Sequence, residues 1–207
     1  MGNLISDISN IVVALAAVCG AFTAWKGLST WRKETEWKIK HELSHRILVN
    51  LYKLRETIDE LRFPAIAPYE MEDIPQETVD QIGHTKADYR RVAYAYKNRG
   101  DRYYNAEKEL KASRLEARAN WGNGLEQHLV RIDQMANELL YRIDQYLSAI
   151  NPETDERTRQ LMTDRMEEIS RVIYDPLTAD DDWRDQLDEA QQQAEDFIRN
   201  KLERATA

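Results

Sequence analysis

The chain begins with a long uncharged segment. Residues 8–25 carry no charged side chain, and most of them read IVVALAAVCGAFTAW. A helix of about eighteen residues rises about 27 Å, which is close to the thickness of the hydrocarbon core of a bilayer. We therefore predict an N-terminal transmembrane anchor at residues 1–27. No later segment of the sequence has a comparable uncharged run.

The apolar positions after the anchor form one helical stripe. Their spacing alternates between four and three residues, as on one face of a helix. The stripe consists of Leu43, Ile47, Leu51, Leu54, Ile58 and Leu61. Pro64 ends it, because proline lacks the backbone donor that a helix needs. The pattern predicts a stalk helix at 28–63, and the acidic, proline-containing residues 64–84 predict a loop.

A second, weaker stripe starts near Thr85. It consists of Tyr89, Ala93, Tyr96, Gly100, Tyr103, Glu107 and Leu110. The run Trp121-Gly122-Asn123-Gly124 interrupts the helical pattern and predicts a turn, with a kink in one long helix as the alternative. Asn123 is the expected cap of the next helix, with Glu126 as its capping-box partner.

Three more helices follow. The first has the most regular stripe, formed by Leu125, Leu129, Ile132, Ala136, Leu139, Ile143, Tyr146 and Ile150. Asn151-Pro152 ends it, and Thr154 is the expected cap of a helix that ends at Asp175-Pro176. Acidic residues 180–182 favour the start of a last helix, because they complement the positive end of the helix dipole. Its stripe is Trp183, Leu187, Ala190, Ala194, Phe197 and Lys201.

These stripes predict an all-α fold. Each helix has an apolar face that another helix must cover, and the short connections favour antiparallel neighbours. We expect one N-terminal transmembrane helix that continues into an elongated cytoplasmic helical bundle or coiled-coil hairpin, with the bundle at 85–207. The pattern leaves open whether the stripes pack within one chain or between chains.

The basic residues near the anchor lie on one side of it. Lys26, Arg32, Lys33, Lys38 and Lys40 follow the uncharged run, and no Lys or Arg precedes it. The positive-inside rule therefore predicts a bacterial inner (plasma) membrane protein with its N-terminus outside and its C-terminal domain in the cytoplasm. Trp25 and Trp31 fit the aromatic belt at that interface. The single cysteine, Cys19, allows no disulfide framework.

Other N-terminal signals fit less well. A signal peptide needs a basic start, whereas MGNLISD has no basic residue and contains Asp7. A lipoprotein signal would use Cys19, but Val18 is bulkier than the small residue expected before it. The start also matches the myristoylation pattern through Gly2 and Ser6, which would be redundant beside a spanning helix.

Small residues recur along the anchor. Ala16, Gly20 and Ala24 lie four residues apart, so they share one helix face. In lipid, small residues let two helix backbones approach closely. This predicts a membrane packing face and a homo-oligomer. The alternative is that alanine is simply common in membrane spans.

The second helix combines basic and aromatic residues. Its region, residues 84–118, holds ten Lys and Arg against five Asp and Glu, although the whole chain has a net charge of −8. Attraction to acidic helices within the bundle explains such a pattern. The alternative is a surface for an anionic ligand such as a nucleotide or nucleic acid, since tyrosines stack on bases and arginines bind phosphates. The candidate residues are Arg90, Arg91, Tyr96, Lys97, Arg99, Arg102 and Tyr103.

One motif suggests metal chemistry. His41-Glu42-Leu43-Ser44-His45 reads H-E-x-x-H on a predicted helix, so both imidazoles share a face where they could bind zinc, with Glu42 as general base. Charged neighbours surround the motif, and Glu70, Glu72 and His84 are the only guesses for a third ligand. We therefore expect no enzyme activity, metal or cofactor, and keep a membrane-tethered zinc peptidase as an alternative.

Two stretches resemble uncharacterised bacterial proteins that have one N-terminal span and a helical cytoplasmic body. The first contains Glu42-Leu43, Leu51-Tyr52-Lys53-Leu54-Arg55 and Arg62-Phe63-Pro64, and the second contains Glu116-Ala117 and Trp121-Gly122. The resemblance implies the architecture and a bacterial source, and it implies no activity.

The expected function is that of a membrane-anchored interaction protein, which acts as a scaffold, tether or sensor and has an oligomerising cytoplasmic domain. Its expected partners are the membrane, further copies of itself and an unidentified protein. One alternative is a ligand- or partner-gated membrane effector, such as those of bacterial antiviral defence.

Overall fold

The computed structural model describes the backbone of residues 2–177 and 180–203, and their side chains apart from those of residues 2–18, 29 and 203. The described chain is all-helical. The helices are α1 (Gly2–Arg62), α2 (Gln76–Ile82), α3 (His84–Trp121), α4 (Gly124–Ile150), α5 (Glu156–Asp164), α6 (Met166–Ile173) and α7 (Asp182–Glu203), with a 3-10 turn at Pro68–Glu70. The prediction of an all-α fold is confirmed.

Four long helices build one core. The stripe of α1 from Leu43 to Leu61 is buried almost completely, and it packs with apolar residues of α3, α4 and α7. The stripes of α4 and α7 lie in the same cluster except for Ile150 and Lys201, and near the end of α7 the buried residue is Ile198, which was not predicted. These stripes therefore pack against one another within a single chain. Residues 43–62, which lie in the segment predicted as a stalk, are part of the bundle.

The bundle has up-down-up-down topology. Arg46 of α1 bonds Glu116 of α3, whereas Arg102 bonds Glu60, so the two helices run in opposite directions. The same reversal relates α1 to α7, since Arg55 pairs with Asp188 and Arg62 with Asp181. Because α4 packs against α3 and α7 and α1 packs against the same two, the four helices close a ring in which neighbours are antiparallel.

The connection between α3 and α4 is a turn. Gly122 has φ of +70°, which favours glycine, and the next helix starts two residues later. This confirms the predicted turn over the kink. The predicted cap is wrong: the Asn123 side chain makes no capping bond, and the Glu126 carboxylate binds Arg114 of α3 instead.

Residues 64–84 contain more structure than the predicted loop. The 3-10 turn is followed by α2, which lies against α3. Ile74, Val79 and Ala87 form a small second core, with Ile82 packed against it. The sequence did not predict this short helix, because the segment is rich in acidic residues and proline and has too few apolar positions to show a helical period.

The predicted fourth helix is two helices. α5 and α6 are separated at Arg165, where φ is −99° and ψ is 6°. The cap of α5 is Asp155, whose carboxylate accepts from the Thr158 N–H at 3.0 Å, and not Thr154. Only α6 contributes to the core, through Ile169, Val172 and Ile173.

The first forty residues of α1 project from this core. Among the described residues, no helix combines the length and apolar character needed to cross a membrane. Most of the predicted span, residues 8–18, lies where side chains are not described. The transmembrane anchor at 1–27 is therefore not supported by the structure and stays a prediction.

Candidate interaction surfaces

The two histidines of the H-E-x-x-H motif lie on the exposed side of α1. His41 stacks on Trp37, with ring centroids 5.0 Å apart and planes 17° apart. Between the histidines, Leu43 and Ser44 are buried against the bundle. The apolar stripe therefore accounts for this turn of the helix without any metal.

Ligands for a metal do not converge on this motif. Among the side chains that the structure describes, no three from His, Cys, Asp and Glu lie close enough together to hold an ion. Two of the suggested third ligands are engaged elsewhere, since Glu70 bonds Arg99 and Glu72 bonds Arg90. The third, His84, starts α3 beyond α2.

The basic residues of α3 face carboxylates. Each of the five candidate cations bonds an acidic side chain of this chain, in the pairs Arg90–Glu72, Arg91–Asp88, Lys97–Asp101, Arg99–Glu70 and Arg102–Glu60. Three of these partners lie on other segments, so much of the excess charge of α3 is neutralised by packing. These three partners lie on α1 and in residues 64–75, and not on the acidic helices α5 to α7 that the sequence suggested.

The candidate tyrosines of α3 are not open to a ligand. Tyr96 is buried and contacts Tyr146 edge-on, with centroids 5.9 Å apart, and burial raises the pKa of Tyr96 to about 12. Burial also raises the pKa of Tyr103, which is 2% exposed. The seven residues predicted as an anionic-ligand surface thus divide between the core and the solvent-facing side of α3.

The N-terminal half of α1 is the largest uncovered apolar region among the described side chains. Phe22, Trp25, Leu28 and Trp31 are 69%, 78%, 53% and 61% exposed. The predicted packing face is also open: Ala24 is exposed, and a Cβ built on Gly20 meets nothing within 4 Å. Ala16 lies outside the described side chains. Nothing within the described chain covers this region.

Charges just after this region are partly neutralised within the helix. Lys38 pairs with Glu34 and Lys40 with Glu36, each one turn apart. Arg32 and Lys33 are exposed beside the tryptophans.

A buried arginine at the end of α1, which the sequence did not identify, bonds this helix to the rest of the bundle. Arg62 is 2% exposed; its Nε donates to Val172 O at 2.7 Å and its Nη1 to Asp181 Oδ2 at 2.8 Å. Its guanidinium also lies 4.3 Å from the centre of the Trp183 ring. Asp181 in turn accepts the backbone N–H of Arg184, which caps α7. One side chain thus joins α1, the end of α6 and the start of α7.

A second buried arginine fastens the 64–70 segment to α3. Arg99 donates to Phe63 O and Ala65 O, both at 2.7 Å, and forms a two-pronged pair with Glu70. The bonds from Arg99 hold the pKa of Glu70 below its usual value. In the sequence Arg62 looks like an ordinary surface charge, and Arg99 was predicted to bind an anionic ligand and not a segment of its own chain. The available signal was the position of Arg62 between Leu61 and Pro64, and that of Arg99 one helical turn after Tyr96.

No protein-family model, no curated protein and no solved structure matches this chain. The resemblance to single-pass bacterial proteins therefore rests on the quoted residues alone.

Proposed function

We propose that the protein is a single-pass, membrane-anchored interaction protein that acts as a scaffold, tether or sensor through its helical bundle. The observation that carries this proposal is the exposed N-terminal half of α1. Its large apolar side chains at Phe22, Trp25, Leu28 and Trp31 are uncovered, and they continue the uncharged run of the sequence. An apolar surface of this size favours burial in a partner or a bilayer.

A bilayer suits the arrangement of these residues better than a coiled coil does. From Phe22 to Trp31 the large side chains follow one another at steps of three. Each such step falls about 60° short of a full turn, so the four side chains spread over about half of the circumference of the helix. A coiled-coil seam instead alternates steps of three and four and stays on one stripe. Lipid surrounds a helix and accepts apolar side chains all around it.

The residues at the end of this region favour an interface with the cytoplasm. Tryptophans concentrate at the headgroup level of membranes, and cationic side chains are retained on the cytoplasmic side. Lys26 follows Trp25 in the sequence, and Arg32 and Lys33 follow Trp31 and are exposed. In this arrangement the bundle that starts at Leu43 faces the cytoplasm of a bacterial cell.

The test of the anchor is a charge placed in the middle of the proposed span. Val18→Lys should lower the membrane-bound fraction of the full chain strongly, because a lysine at the centre of a bilayer costs about 3 kcal/mol. The matched control is Val130→Lys, which places the same charge on an exposed side chain of α4. It should leave the membrane-bound fraction unchanged.

Membrane pellets after carbonate washing measure this fraction, and a C-terminal reporter that is active only in the cytoplasm measures the orientation. An unmodified chain that stays in the soluble fraction would disprove the anchor. An inactive C-terminal reporter on a chain that is membrane-bound would disprove the orientation while leaving the anchor intact.

A second candidate function is a ligand- or partner-gated membrane effector. It is favoured by the continuity of α1, which runs as one helix from Gly2 to Arg62. A partner that shifts α1 within the bundle would move the N-terminal half as well, because an unbroken helix transmits such a displacement. Zinc peptidase chemistry has no comparable support, since His41, Glu42 and His45 are exposed and no further ligand of the described side chains lies near them.

A further inference from the structure

An open groove lies beside the C-terminal end of α1. Three segments form it: the outward face of α1 from Tyr52 to Phe63, the residues that follow up to Glu70, and Arg99 and Arg102 of α3. Its volume is about 610 Å³, within the range of roughly 300–1,000 Å³ found for small-molecule sites. The groove lies on the bundle, away from the N-terminal half of α1.

The walls of the groove carry uncovered aromatic rings. Tyr52 and Phe63 stand at its two ends and are 42% and 46% exposed, and Tyr69 is 89% exposed. The segment that carries Tyr69 is held in place, because Arg99 bonds Ala65 O and the Glu70 carboxylate on either side of it. These rings are therefore positioned by the fold and still open to a ligand. Aromatic faces attract cations through their quadrupole.

One of the carboxylates that line the groove has no ion-pair partner among the described residues. Four carboxylates and three guanidiniums line it. Each guanidinium pairs with a carboxylate, in Arg55–Asp59, Arg99–Glu70 and Arg102–Glu60. The remaining carboxylate, Glu56, is exposed and forms no ion pair with the described residues. An anionic ligand would have to compete for arginines that are already bound, whereas a cation finds Glu56 free.

The position of Glu56 on its helix adds to this preference. Glu56 and Glu60 lie four residues apart on α1, a spacing at which like charges repel each other, and Arg102 pairs with Glu60 alone. A cation bound between Tyr52 and Phe63 would lie over this pair and relieve the repulsion. The net charge of −8 of the chain attracts cations to its surface as well.

The groove also extends toward α7. A shallower recess of about 310 Å³ shares Arg55 with it and is lined by Asp188 and Glu195. Tyr52 stands between the two spaces, and its hydroxyl donates to Glu195 at 2.9 Å. Asp188 pairs with Arg55, and Glu195 bonds Tyr52 and Arg199. The recess therefore lengthens the groove for an elongated ligand, and Glu56 remains its carboxylate without an ion pair among the described residues.

From these features we propose that the groove binds a small, elongated organic cation, namely a free di- or polyamine. Its ammonium group pairs with Glu56, and its apolar stem lies against Tyr52 and Phe63. The proposal goes beyond the membrane-anchored function and does not depend on it. A lysine side chain of a partner protein offers the same head group, and the experiment separates the two sources.

The test is isothermal titration calorimetry of the purified full chain with spermidine. We expect saturable binding of one spermidine per chain. Glu56→Gln should weaken it roughly three- to tenfold, as expected for an exposed ion pair supported by a cation–π contact, and Tyr69→Ala should weaken it severalfold. The matched control is Glu77→Gln on α2, an exposed carboxylate outside the groove, which should leave the affinity unchanged.

Three results would overturn the proposal. The first is the absence of saturable spermidine binding. The second is an equal loss in Glu56→Gln and Glu77→Gln, or equal affinity for Mg²⁺ at the same charge concentration, because either would show diffuse attraction to an acidic protein. The third is a tetralysine peptide that binds more tightly than spermidine and depends on Glu56, which would assign the groove to a protein partner. Unchanged thermal unfolding of each variant shows that the fold is retained.

Discussion

At the scale of single residues, the most consequential side chain is the buried guanidinium of Arg62. It satisfies the carbonyl of Val172 and the carboxylate of Asp181 in a place that is closed to water. The pair adds specificity more than stability, because two ions must be dehydrated to form it. Removal of one partner is costly, since the other charge is then left buried alone.

We predict that Arg62→Met destabilises the fold by about 3–5 kcal/mol at neutral pH, as measured by urea unfolding. The control is Arg46→Met, which breaks the exposed pair with Glu116 and should cost less than about 1 kcal/mol. Equal losses in the two variants would show that Arg62 contributes no more than a surface charge.

The Arg62–Asp181 pair should also make the free energy of unfolding depend on pH. Burial raises the pKa of Asp181, but the bond from Arg62 and the N–H of Arg184 outweigh it, so the pKa lies below its usual value. A lowered carboxyl pKa contributes stability above the pKa of the unfolded state, about 3.9, and this contribution is lost as the pH falls through the folded value. In Arg62→Met, the loss of stability between pH 5 and pH 2 should therefore be smaller than in the wild type.

Substitution by alanine should change the stability of the fold in opposite directions at Gly124 and at Gly100. A Cβ on Gly124 would lie 2.7 Å from Phe197 Cζ, and that ring is confined by contacts with Trp121 and His128. We expect Gly124→Ala to cost about 1–2 kcal/mol through overpacking. Gly100 lies inside α3 with nothing within 4 Å of its Cβ position, so Gly100→Ala should stabilise by about 0.5–1 kcal/mol.

Thermal and urea unfolding of both variants measure these changes. Phe197→Leu in the Gly124→Ala background should recover part of the loss, because the smaller side chain leaves room for the new methyl group. A gain in stability for Gly124→Ala alone would show that the Phe197 ring can move freely.

At the scale of elements, the long helices were predictable and the short ones were not. The stripe from Leu43 to Leu61 and that of α4 repeat over several turns, so their period identifies both the helix and its buried face. α2 and α5 span only two or three turns, and α5 contributes no buried residue. α2 is held by packing against α3, and α5 by packing against α4 and by the Asp155 cap. The spacing of apolar residues in the sequence does not reveal such contacts.

The residues that line the groove show the same limit. Tyr52, Glu56 and Phe63 repeat at steps of four and seven along α1, on the face opposite to its core stripe. A mixed aromatic and acidic face is common on solvent-exposed helices, so the sequence pattern alone does not indicate a binding site. Only the fold places the 64–70 segment and α3 beside it, and Arg99 holds that segment there through contacts distant in sequence.

At the scale of the whole molecule, the chain joins a self-contained bundle to an uncovered helix. Every long helix of the described bundle has its apolar stripe covered within one chain, so assembly through those stripes would require the bundle to open. Among the described side chains, the N-terminal half of α1 carries a series of uncovered large apolar residues that a second copy would bury. The small-residue face predicted from the sequence at Ala16, Gly20 and Ala24 stays a prediction, since small residues let two helix backbones approach closely.

We predict that Gly20→Ile weakens the oligomer of the full chain in mild detergent, because a β-branched side chain keeps the helices apart. The single chain has room for the new side chain, since nothing lies within 4 Å of the Cβ position. A lower mass by light scattering would therefore report on assembly and not on misfolding. The control is Phe22→Ile, which introduces the same side chain about 200° away around the helix. A mass that stays unchanged in Gly20→Ile, or falls equally in both variants, would mean that this face does not join the chains.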